Sequence, residues 1–207
     1  VKRGFYPMGG GVVRAEVEPT RELKPITLTD CKETKEVWGL AYSSRLPCHI
    51  VERMAESAKR TLREKGCEGV AIELECLQSR DKKCAASPGT GIILFARCLP
   101  RGTIGSDSLG RIGRRAEEVG REAASLLLKQ LASAAPVDRF LGDQLIIYMA
   151  LASGRSAIRV SELTLHTSTC ITISEIIAGA NFKVIGRQGE ASTITCEGIG
   201  LVNKHLK

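Results

Sequence analysis

The chain has 207 residues, room for one large domain or two small ones, and its 43% hydrophobic content is enough to bury a proper core. No run approaches the ~18–20 consecutive apolar residues of a spanning helix, and the opening Val-Lys-Arg-Gly lacks the apolar centre of an export signal, which excludes a membrane-spanning helix and leads us to expect a cytoplasmic protein. A net charge of +7 and a pI near 9.1 favour an anionic partner such as RNA or a nucleotide, while an aromatic content of 4% argues against a platform of stacked bases.

The segment Arg3-Gly-Phe-Tyr-Pro-Met-Gly-Gly-Gly is a glycine-rich loop, followed by an alternating stretch from Gly11 to Glu18 that reads as a strand. Gly9, Gly10 and Gly11 permit positive φ and close backbone approach. They fit a loop pressed against a ligand and fit a tight turn equally well. The chain opens on Val rather than Met and reaches this turn-and-strand chemistry at once, so we expect it to start inside a longer protein.

Leu23 to Thr29 and Lys35 to Ser43 read as strands. Ile50, Met54, Ala58 and Leu62 set a helical period from Cys48 to Lys65, stopped by Gly66. Val70 to Cys76 and Gly91 to Cys98 are further strands, and the glycine-rich, basic stretch from Arg101 to Gly113 reads as a loop, either a contact for phosphate or a mobile connector. Helices follow from about Arg115 to Leu131 and from about Val137 to Ala152. The second of these is rich in Leu and Ile and should be largely buried, which makes Asp143 and Gln144 conspicuous in its middle. Burying a carboxylate is costly unless it is paired, so these two either face solvent or line a site.

From Ile158 the order is strand, His166, helix Thr167 to Ala178, strand Phe182 to Gly186 and strand Ser192 to Glu197. This alternation makes the chain an α/β (α+β) protein. His166, one of three histidines, stands where a strand should feed a helix, with the hydroxyls of Thr167, Ser168 and Thr169 behind it as candidate caps. Free amides of a first helical turn can hold an anion beside a potential nucleophile; a lone histidine can equally be a plain core or surface residue. The cysteines, at 31, 48, 67, 76, 84, 98, 170 and 196, stand singly. There is no Cys-x-x-Cys pair, and Cys48 with His49 has no partner pair at zinc spacing, so we expect free thiols and no protein-held metal centre.

Three stretches, Arg3 to Gly11, Val137-Asp-Arg-Phe-Leu-Gly-Asp-Gln-Leu-Ile and Ser161-Glu-Leu-Thr-Leu-His-Thr-Ser-Thr, together resemble the RNA 3′-terminal phosphate cyclases. The run Arg115-Ala-Glu-Glu-Val-Gly-Arg-Glu-Ala-Ala is similar to that family as well, and the likeness covers essentially the whole chain. It implies a large domain of repeated units, each of two helices on a four-stranded sheet, interrupted by a smaller inserted α/β domain. Residues 23–131 would be the insert, and 1–22 and 132–207 parts of the large domain.

The resemblance also implies a reaction. A histidine, here His166, takes AMP from ATP; AMP passes to an RNA 3′-terminal phosphate, and the neighbouring 2′-hydroxyl closes a 2′,3′-cyclic phosphate. Phe140, Leu141, Gly142, Asp143 and Gln144 would bind the nucleotide, Phe140 against adenine and Asp143 and Gln144 through polar contacts. Tyrosine often stands in the family where this chain has Phe140, so stacking survives and a phenolic hydrogen bond does not. ATP and a divalent metal, Mg2+ by preference, would be the cofactors. The family's N-terminal glycine-rich segment, with the Glu, Arg and Gln that bind phosphate, metal and RNA, has no counterpart here, so the chain is expected to be a C-terminal portion with an incomplete site. The alternatives are a non-catalytic cyclase-like protein acting in ribosomal RNA processing, whose kind lacks the histidine, and a general RNA-binding module held by charge.

Overall fold

In a computed structural model, which describes residues 2–206, twelve elements follow one another. They are β1 (Thr27–Leu28), β2 (Cys31–Ser44), α1 (Cys48–Arg63), β3 (Ala71–Leu77), β4 (Gly89–Pro100), β5 (Thr103–Leu109), α2 (Ala116–Leu131), α3 (Arg139–Leu151), β6 (Ser153–Val160), α4 (Leu165–Ala178), β7 (Asn181–Ile185) and β8 (Ser192–Ile199). They form two four-stranded sheets, ordered β3-β2-β4-β5 and β1-β6-β8-β7. Among the described residues no helix is long and apolar enough to cross a membrane.

Two compact units divide the chain. One takes the chain up to Glu16 with Lys35–Arg97 and Gly105–Lys129, the other Val17–Thr34, Cys98–Ile104 and Gln130 onward.

In the first unit, α1 turns Val51, Met54, Ala55, Ala58 and Leu62 inward, the spacing of one helical face. Of these, the larger side chains of Val51, Met54 and Leu62 each stabilise the fold by about 1.5–3 kcal/mol. Arg60 and Arg63 lie in its last turn, where the helix dipole favours cations, and Gly66 follows at φ 82°. Helix α2 runs close against α1. Ser57 donates to the Glu117 carbonyl at 2.8 Å, and Arg53 grips the Glu117 carboxylate at 2.7 and 2.9 Å, hydrogen bonds that hold this carboxyl down to about 2. The glycine-rich N-terminal segment also folds into this unit rather than joining residues 17–22. Lys2 and Val12 exchange backbone hydrogen bonds, Gly9 N–H donates to Phe5, and Gly9 and Gly10 adopt φ of 60° and 69°. Arg3 lies 3.9 Å over the Tyr42 ring and pairs with Glu75, while Phe5 fills the space that a Cβ on Gly89 would need. The loop is therefore a turn seated on its own sheet.

The second unit is built around Val137, Ile146, Met149, Ile158, Val160, Leu163 and Ile194, all buried. Its sheet is mixed: β6 runs parallel to β1 and antiparallel to β8, and β7 antiparallel to β8. Helix α3 lies over β6 and β8 and beside α4, which reaches β7. Each sheet thus carries two helices, in the α+β architecture expected.

Four expectations are corrected. The stretch from Gly11 to Glu18 forms no strand: its valines are exposed and, beyond the single bridge at Val12, its alternation finds no partner to hydrogen-bond. The presumed loop from Arg101 to Gly113 contains β5, whose inward positions are Ile104, Ser106 and Ser108. The serines hid the period, and they are satisfied inside, Ser106 by donating to the Ala123 carbonyl at 2.7 Å and Ser108 by donating to Glu122. Cys31 and Cys98 are joined as a disulfide 67 residues apart, leaving six free thiols among the described residues. Helix α3 is also less buried than its composition implies, with Ile147 and Tyr148 each 56% exposed.

A Cβ on Gly120 would stand 2.1 Å from the Met54 carbonyl oxygen. Gly120→Ala is therefore expected to cost about 1–3 kcal/mol by forcing α1 and α2 apart, read as a lower urea midpoint. A midpoint equal to that of the parent chain would show that the two backbones do not meet this closely.

Candidate active site

The residues singled out around position 140 and at 166 meet where α3 and α4 run side by side. Asp138 starts α3: its carboxylate accepts from Phe140 N–H at 2.9 Å and Leu141 N–H at 2.8 Å, an N-cap that uses the amides an anion would otherwise find. One turn on, Gly142 lets the helix approach β6. A Cβ there would stand 2.8 Å from Val160 Cγ1.

Helix α4 begins two residues earlier than its hydroxyl run implies. Thr164 is the cap, accepting from Thr167 N–H at 3.0 Å, and His166 sits in the first turn. The hydroxyls behind it are occupied within the helix: Ser168, Thr169 and Thr172 donate to the carbonyls of Thr164, Leu165 and Ser168 at 3.2, 2.9 and 3.2 Å. Thr167 is buried. Gly179, at φ 72°, closes the helix.

The pairing of the helices brings Asp143 to His166 across 23 positions of sequence. Asp143 Oδ2 lies 2.5 Å from His166 Nδ1. The carboxylate side chain is 15% accessible and the imidazole 71%. A carboxylate only accepts, so Nδ1 carries the proton and in the neutral ring the lone pair is on Nε2. Nε2 lies 4.0 Å from Cys170 Sγ. Burial, and secondarily the Asp143 charge, push the neighbouring Cys170 thiol up from its ordinary value.

The five residues assigned to the nucleotide divide. Phe140 is 51% exposed, with the Arg139 guanidinium 4.6 Å from its ring centroid, and Gln144 is exposed. Leu141 packs on the core and Gly142 is buried against Val160, contacts that help to place α3. Asp143 makes its contact with the histidine. Sequence reasoning missed that partnership because both residues were marked separately and nothing local links them.

Residues 29–132 match the family described as RNA 3′-terminal phosphate cyclase (RTC), insert domain. Over 194 residues the chain is 46% identical to the RNA 3′-terminal phosphate cyclase of Methanothermobacter thermautotrophicus, covering 94% of this chain and 54% of that protein. Likeness to the protein of that name from Caldivirga maquilingensis is 42% over 89% of this chain and 52% of the relative; for Staphylothermus marinus it is 40% over 97% and 56%. The chain spans about half the length of the curated relatives it matches.

Thr164→Ala removes the cap that starts α4 one residue before Leu165 and two before the imidazole. It is expected to lower stability by about 0.5–2 kcal/mol and to raise amide exchange in the first turn of α4. Unchanged exchange there would show that the cap does not hold the turn.

Proposed function

Because the chain belongs to the RNA 3′-terminal phosphate cyclase family, we propose that His166 is the nucleophile of an ATP-dependent cyclisation of RNA 3′-phosphate ends, carried out in the cytoplasm. The observation that supports this reading best is the Asp143–His166 pair. Nε2 attacks the α-phosphorus of ATP. The N–P bond forms as the bond to the β-phosphate oxygen breaks, and pyrophosphate leaves. The ring gains positive charge in that step, and the carboxylate on Nδ1–H stabilises it without taking the proton.

An oxygen of the RNA 3′-terminal phosphate then attacks the adenylyl phosphorus and the histidine departs with its lone pair restored. The adjacent 2′-hydroxyl attacks the activated 3′-phosphorus, loses its proton and releases AMP, leaving a 2′,3′-cyclic phosphate. Phe140, half exposed one turn before Asp143, offers its ring to adenine, and Gln144 offers an amide beside it. A divalent cation enters with the triphosphate. Among the described residues no group of three or more His, Cys, Asp and Glu could hold a metal ion.

In the intact protein that carries this sequence, incubation with ATP labelled at its α-phosphate and Mg2+ is expected to give an acid-labile, base-stable protein–AMP adduct that His166→Ala abolishes, whereas the 207-residue chain alone is expected to give little or no turnover. Asp143→Asn keeps the shape but loses the charge on Nδ1 and should slow adduct formation by at least about tenfold, since loss of the orienting carboxylate costs up to about 10⁴ in a Ser-His-Asp site. Equal labelling of parent and His166→Ala would dismiss the nucleophile.

A further inference from the structure

The lone pair of His166 Nε2 has a second metal-ligating atom beside it. Cys170 follows four residues later on α4, so the two side chains share a helix face, and Cys170 Sγ lies 4.0 Å from Nε2. In a tetrahedral site with bonds of about 2.0–2.1 Å to imidazole nitrogen and about 2.3 Å to thiolate sulfur, two such donors stand about 3.6 Å apart. A few tenths of an ångström of side-chain rotation therefore bring both within bonding range of one ion.

The outer contact is in place as well. A ligating histidine ordinarily gives its other N–H to a carboxylate, which fixes the tautomer and makes the ring a better donor; here Asp143 fills that position. With the imidazole 71% accessible, a hydrated ion can reach it. Only two protein ligands are offered, in keeping with the lack, among the described residues, of any group of three.

We infer that His166 and Cys170 form a two-residue site for a thiophilic divalent cation of the Zn2+ type, with Asp143 behind the histidine and water completing the coordination. On binding, the Cys170 thiol gives its proton to solvent and the thiolate and Nε2 each donate one pair to the metal. Nε2 has a single lone pair, so a metal-bound His166 cannot attack phosphorus. That regulatory consequence rests on the proposed nucleophile; the metal site does not. Mg2+, a hard ion that prefers oxygen, does not compete for a thiolate and an imidazole.

The probe is Cd2+, titrated into the full 207-residue chain and followed by the thiolate-to-cadmium charge-transfer absorption and by calorimetry. A Cys48→Ser background removes the exposed free thiol elsewhere in the chain that could bind the probe. Cys170→Ser and Cys170→Ala should each abolish the band of this site and weaken binding at least about tenfold, and Asp143→Asn should weaken it about 10- to 100-fold. A band and an affinity unchanged in both Cys170 variants overturn the site. For the regulatory part, adduct formation is measured in excess Mg2+ with rising Zn2+, each variant against its own zinc-free rate. The zinc concentration for half-inhibition should rise at least about tenfold in Cys170→Ser, and equal zinc sensitivity overturns the coupling. Cadmium binding that depends on Cys170, with adduct formation in the intact protein that His166→Ala leaves unchanged, supports the metal site and removes His166 as nucleophile.

Discussion

One contact orders the site, the carboxylate of Asp143 on Nδ1 of His166. It needs α3 and α4 held in register to within a fraction of an ångström, and the local chemistry supplies that. The Asp138 cap fixes where α3 starts, the bare Cα of Gly142 lets it sink onto Val160, and the Thr164 cap fixes where α4 starts. Each acts on backbone position, yet together they decide which nitrogen of one ring is free. The core beneath, with Ile146, Met149, Ile158 and Ile194 almost fully excluded from water, keeps the helices from sliding, because close-packed interiors resist small displacements.

The two sheets carry the same parts in different order. In the second unit each long helix leads into a strand, so α3-β6 and α4-β7 follow one pattern before β8 closes the sheet. In the other sheet a parallel β2-α1-β3 crossover comes first, with two further strands and then α2. The residues matching the insert domain of the family, 29–132, span that second wiring, and the pair at the site comes from the first.

Much of this was legible from the sequence because periodicity reports one-sided burial. The apolar spacing of α1 and the alternation of β4 and β8 gave those elements to within a few residues. Where polar groups are buried and satisfied, the period disappears: Ser106 and Ser108 point inward in β5 and look like loop residues. The reverse failure is the stretch after Gly11, where Val12, Val13 and Val17 alternate with polar residues yet face solvent. The Cys31–Cys98 bond eluded a reading based on close spacing, since 67 residues separate its ends. His166 and Asp143 were each legible, whereas their contact depends on how two helices pack.

The accessibility of the imidazole bears on the lifetime of whatever it carries. At 71% exposure an adenylyl group on Nε2 would meet water as readily as an RNA end, and hydrolysis would consume ATP with no ring closed. Yield per ATP then becomes a race between two acceptors, settled by how quickly the RNA terminus arrives and how well water is kept out. If His166 is the proposed nucleophile, the same openness that would let a triphosphate reach it would make coupling efficiency, rather than the attack itself, the quantity its surroundings must protect.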